Sequence, residues 1–159
     1  MTTIKYGGLV KQNNSALNPE GSSACNFRAI QAAAEVHVGK KLTPEQINAA
    51  TAALYKSGAM RNDPKDGSHY VVVNQDAVLN DALERLGSSD TGSIGEGVKK
   101  SEIPNNADAT IVRGRTPNNN PHSQLGDSKG NPVWDPYHKD PVPLTGTEYR
   151  PIFFYKKEE

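Results

Sequence analysis

The feature that most restricts the fold is a change of apolar spacing near the middle of the chain. Up to Gly87 apolar residues recur at the helical period, and beyond Ser88 they sit in short β-like runs. Helices gathered in one half and strands in the other point to an α+β architecture, because a parallel α/β fold would alternate the two. Three helices are predicted. The first starts at Ser22 or Ser23, whose hydroxyl can accept the free N–H groups of the first turn, and ends at Gly39 in left-handed backbone. The second carries a capping box, Thr43 and Gln46 around Pro44, and stops at Gly58. The third is capped by Asn74 and runs through Val78, Leu79, Ala82, Leu83 and Leu86 to Gly87. Residues 4–9 and "HYVVV" read as strands, and "ATIVRGR", "HSQLG", "PVWD" and "YRPIFFYKK" supply the strands of the second half. Between them "SSDTGSIGE" is rich enough in Gly and Ser to read as a lobe connection or mobile flap without regular structure. The expected layout is a single domain over 1–159, with a helical lobe at about 20–87, a connecting loop at about 88–107 and a β lobe at about 108–157.

Charge and cysteine content narrow the function. The 18 basic and 18 acidic side chains cancel, which leaves no net field to attract nucleic acid. The single cysteine excludes an intramolecular disulfide and any zinc site built on several thiolates. Nothing near Met1 resembles a signal peptide and no apolar run is long enough to span a bilayer, so the expected setting is the cytoplasm, without membrane insertion. Action on a cell wall would need release by another route. Oligomeric state is not readable from these features.

That one cysteine, Cys25, lies in the first turn of the first helix, where unpaired N–H groups and the helix dipole favour a thiolate. Phe27, Ile30, Ala34 and Val38 form one apolar stripe of this helix, and Ala29, Ala32, Ala33 and Val36 form a second on the cysteine's own side. Arg28, Gln31 and Glu35 are left as the main polar strip. A helix apolar on two sides suits a position between two layers. Taken alone, a cysteine in such surroundings is better explained by core packing than by reactivity.

A second stretch, "HSQLGDSKGNPVWDPY", supplies partners. Asp127-Ser128-Lys129-Gly130 has the composition of a tight hairpin loop. If the loop is symmetric, His122 lies directly opposite Asp135, and opposed side chains share a sheet face. The carboxylate would then fix the tautomer of the imidazole and stabilise its cation. A bulge at Gly130 would slip this register by one residue. Leu125 and Trp134 fall on the other face, with Trp134 placed to shield the His–Asp contact from water.

The order of Cys25 at a helix start, His122 on a strand and Asp135 across a hairpin resembles the papain-like cysteine peptidases, most closely their compact bacterial and phage branch, including C39-like peptidases. "GSSAC" with Phe27 two positions on, and "PHSQLGDSKGNPVWDP", carry the resemblance, over about a quarter of the chain. It implies a papain-like fold in which the cysteine helix packs against a C-terminal antiparallel sheet. It further implies Cys25 as nucleophile, His122 as general base and then acid, and Asp135 as orienting group. The implied activity is hydrolysis of an amide bond in a peptide or peptidoglycan substrate, with no cofactor. Where that family places a glutamine before its cysteine this chain has the Asn18-Pro19 region, so Gln12, Asn14 or Asn18 are the candidates to complete an oxyanion hole with the Cys25 N–H. Trp134 is a further substrate-side candidate. Ser22 or Ser23 stand where a family nucleophile could lie in an altered relative. Two alternatives stay open: an inactive binding module on the same fold, and a deamidase or acyl transferase using the same three residues.

The other constellations are weaker. His122, Asp127, Asp135, His138 and Asp140 invite a metal, but their spacing matches no metal motif, and no metal site is expected. Arg113 and Arg115 in "RGR" could grip a phosphate or a substrate carboxylate, or simply solvate a strand end. His37 and His69 read as structural.

Overall fold

The computed structural model describes residues 8–17, 25–63 and 66–156, without the side chains of 63–70. Three helices, α1 (Cys25–Val38), α2 (Pro44–Ser57) and α3 (Gln75–Arg85), precede most of the sheet. A small hairpin, β1 (Met60–Asp63) with β2 (Asp66–Val72), lies between α2 and α3. The main sheet is antiparallel throughout. It contains β3 (Thr91–Ile94), β4 (Ala109–Arg115), β5 (Pro121–Gly126), β6 (Pro132–Trp134) and β7 (Thr145–Tyr155) in the spatial order β3-β7-β4-β5-β6. The fold class is therefore α+β. Among the described residues, no helix is long and apolar enough to cross a membrane.

Local chemistry explains the helix ends. The Thr43 hydroxyl accepts from Gln46 N, and the Gln46 side chain accepts from Thr43 N, closing the capping box around Pro44. Asn74 Oδ1 accepts from Ala77 N at the start of α3. Gly39 and Gly58 take left-handed φ values of 83° and 84° where α1 and α2 end. Ser22 and Ser23 lie outside the described residues. So does most of the strand expected over 4–9, and Gly8 at φ 90° turns the chain instead.

Two expectations need correction. The Gly/Ser-rich stretch around residue 92 is not a loop: Thr91–Ile94 pairs with β7 as the edge strand of the sheet. Its glycine is a packing requirement, since a Cβ on Gly92 would sit 2.5 Å from Leu79 of α3. The outer edge is satisfied by α3 side chains. Asn80 Oδ1 accepts from Gly92 N, Asn80 Nδ2 donates to Gly92 O, and Asp76 Oδ1 accepts from Ile94 N. The strip Arg28, Gln31 and Glu35 is also more than a polar flank, because all three are fully buried. Arg28 donates to Glu35 Oε1 at 2.9 Å, to Gln31 Oε1 at 2.8 Å and to Val10 O at 2.9 Å, while Glu35 Oε2 accepts from Leu42 N. A buried guanidinium persists only when its donors are used in this way.

The core joins the two halves. Ile30 and Ala33 of α1, Leu79 and Leu83 of α3, and Ile111, Leu125 and Ile152 of the sheet belong to one apolar cluster. This packing lays α1 along β5, which sets what stands beside its first turn.

Candidate active site

The hairpin between β5 and β6 positions the histidine and the carboxylate. Asp127 Oδ1 accepts from Lys129 N and Asn131 N, Gly130 N donates to Asp127 O, and Gly130 takes φ 88°. The loop is asymmetric, so the ladder pairs Leu125 with Trp134 and Gly126 with Pro132, with a register shift between them. Asp135, one residue beyond Trp134, therefore falls level with Gln124 rather than His122. The histidine reaches it diagonally: His122 Nε2 donates to Asp135 Oδ1 at 2.9 Å. Gln124 Nε2 donates to Asp135 Oδ2 at 2.8 Å and to Val142 O at 2.8 Å. The N–H groups of Tyr137 and His138 add two more bonds to Asp135 Oδ1. Four donors thus surround a carboxylate with no exposed surface. Burial opposes its charge, but the bonds from His122, His138, Tyr137 and Gln124 outweigh that and hold the carboxyl well below the usual carboxylate range.

Because a carboxylate can only accept, the shared proton sits on His122 Nε2, and Nδ1 is the ring nitrogen left for another partner. Cys25, buried at the first turn of α1, is the other side chain that acts on the ring and favours its charged form. Burial alone would lower the basicity of His122. The bonds to Asp135 and Cys25 and the charges of those two groups act the other way and raise its pKa to about 9. At neutral pH the ring is a cation, held between two groups that both favour its charge.

The structure therefore brings Cys25, His122 and Asp135 together. The remaining candidates are placed differently. Gln12 is buried, and its N–H donates to Pro136 O at 2.8 Å, next to the turn that carries Asp135. Asn14 is used locally, with Oδ1 accepting from Ala16 N in a turn of its own. Asn18 lies outside the described residues. Trp134 belongs to the core at 4% exposure, with the Lys11 ammonium 4.7 Å and the Arg28 guanidinium 5.7 Å from its ring centre, so it offers a substrate no face. Alternation turns it away from Asp135, and what closes over the carboxylate is Gln124 and the 136–138 turn.

Two contributors escape a reading of the sequence. Gln124 follows His122 by two residues on one strand, a spacing that puts both on one face, and this was the available signal. Lys11 has no such signal: its ammonium donates to the carbonyls of Asp135 and of His138, the latter at 2.7 Å, tying the N-terminal segment to the turn. His138 also stands edge-on to His122, with ring centres 5.5 Å apart, and His122, Asp135 and His138 could approach a common ion. Asp135 already accepts four bonds, which leaves little of it for a cation. Asp127 caps the hairpin loop instead.

A cavity of about 330 Å³ lies elsewhere, between the end of α1 and the sheet, lined by His37, Phe154, Asp108 and Val133 among others. It does not include the three residues above. Comparison with family models, curated proteins and solved structures finds no match.

Proposed function

We propose that the chain is a papain-like thiol hydrolase acting on an amide bond. The observation that carries this reading is the His122 ring held between the Cys25 thiol and a fully buried, four-fold hydrogen-bonded Asp135. In the resting site the thiol proton already sits on His122 Nδ1, and the thiolate sulfur attacks the carbonyl carbon. Asp135 fixes the ring and stabilises the imidazolium. The ring then gives its proton to the leaving nitrogen, the C–N bond breaks and a thioester remains. Water, deprotonated by His122, adds to the thioester carbon, and expulsion of sulfur restores the enzyme. The N–H groups of the first turn of α1, that of Cys25 among them, are the donors this reading assigns to the oxygen that gains charge. A peptide or a peptidoglycan cross-link is the substrate class. The same steps with a side-chain amide would release ammonia, and with an amine acceptor would transfer the acyl group.

A second reading, a binding module without catalysis, is favoured by one observation: Cys25 is only 7% exposed. Alkylation by iodoacetamide across pH separates the two. The hydrolase reading expects fast labelling of Cys25 well below the ordinary thiol range of about 8.5, lost in His122→Ala. Labelling that follows an ordinary thiol titration, or occurs only on unfolding, would leave the binding module.

A further inference from the structure

The hydrolase reading leaves unused the cavity of about 330 Å³ at the end of α1, a size at the lower end of the range for small-ligand sites, about 300–1,000 Å³. Ala33 and Val36 of α1, with Leu125, Val133 and Phe154 of the sheet, make its apolar walls. Two carboxylates line it as well, Asp108 just before β4 and Asp127 just after β5. Backbone donors fix both. Asp108 Oδ2 accepts from Phe154 N at 2.8 Å, and Asp127 Oδ1 accepts from Lys129 N and Asn131 N. Burial opposes the charge of Asp127, but the bonds from Asn131 and Lys129 and the nearby Lys100 hold its carboxyl below the usual carboxylate range. The cavity also meets the last turn of α1 through Val36 and His37, where the carbonyl end of the helix dipole carries partial negative charge. His37 Nε2 lies 2.9 Å from Asp90 Oδ2, so a proton gained by this ring is answered by a carboxylate of its own. Apolar walls, an aromatic ring and a negative rim together complement a cation with an apolar body.

We infer that this cavity binds a small organic ammonium ion, free or carried on a lysine side chain, with its apolar body against Ala33, Val133 and Phe154 and its charge toward Asp108 and Asp127. The cavity is not lined by Cys25, His122 or Asp135, so the site stands or falls separately from the hydrolase reading.

The test titrates the full chain with phenethylammonium and with 2-phenylethanol, a neutral analogue of similar shape, while the amide NMR signals of Gly126, Ser128 and Phe154 are followed. The ammonium is expected to shift these signals and to bind about fivefold more tightly than the alcohol, a preference that shrinks as salt rises. Asp108→Asn, whose Oδ1 can still accept from Phe154 N, is expected to weaken the ammonium about fivefold and leave the alcohol unchanged. Val133→Phe, which narrows the cavity, should weaken both. N-acetyl-lysine methylamide separates the sources: tighter binding than phenethylammonium assigns a partner's lysine, and weaker binding a free amine. Equal affinity for ammonium and alcohol, an ammonium affinity unchanged in Asp108→Asn, or shifts confined to other parts of the chain would overturn the inference.

Discussion

His37 and His122 each hold an aspartate oxygen at 2.9 Å, yet the two pairs differ in nearly everything else. His37 and Asp90 keep 30% and 23% of their side chains in solvent, and the His37 ring stacks on Phe154 with 3.9 Å between centres. His122 and Asp135 keep 7% and none, and Asp135 is bound from three further directions. Distance alone therefore does not distinguish a surface pair from an enclosed one. What distinguishes them is how completely the carboxylate is enclosed and what stands on the far side of the ring.

The largest expected effect separates the carboxylates. Asp135→Ala strands a buried cation and four donors and should cost about 3–5 kcal/mol of stability, against about 0–1 kcal/mol for Asp90→Ala. Urea unfolding of both variants measures this, and equal losses would erase the contrast. The next effect is pH dependence. The folded-state pKa of His122 is raised to about 9 from 6.5, so its contribution is fully present below pH 6.5 and is lost as pH rises through 9. That contribution is up to about 3 kcal/mol, and His122→Gln should flatten the corresponding slope in denaturation midpoints. Asp135 acts in the opposite sense, contributing above the ordinary carboxylate range and losing its contribution only in strong acid. The smallest effect belongs to Gln124→Leu. It removes one donor from Asp135 and one from Val142 O, and should cost about 1–2 kcal/mol while slowing Cys25 alkylation. A variant that alkylates at the wild-type rate would show that His122 alone orients the carboxylate.

Several elements were legible because their signals are local. The Thr43-Pro44-Gln46 start of α2, the Asn74 start of α3 and the positive-φ glycines depend on residues within one turn. The edge strand β3 was not, because its pairing and its glycine answer to β7 and to Leu79, neither of which a local pattern reveals. The hairpin sat between these cases. Its composition announced the loop, but the asymmetric hydrogen bonding around Asp127 set the register and moved Asp135 level with Gln124. The sequence predicts the pairing of His122 with Asp135 from a directly opposed register. In the structure it is made by diagonal reach, which side chains of this length can bridge. The burial of Arg28 was invisible for a plainer reason: a helical pattern shows which residues share a face, not whether another segment covers that face.

The bonds from Lys11 to the Asp135 and His138 carbonyls join residues 124 and 127 positions apart. Cys25 and His122 are likewise brought together from distant parts of the chain, so the site consists of late, non-local contacts rather than the property of any early-forming unit. During synthesis α1 leaves the ribosome long before β5, and loop-closure entropy must be overcome before the two ends meet. The thiol consequently has no His122 beside it until the last strands dock, so the cysteine and the histidine meet only when folding is complete.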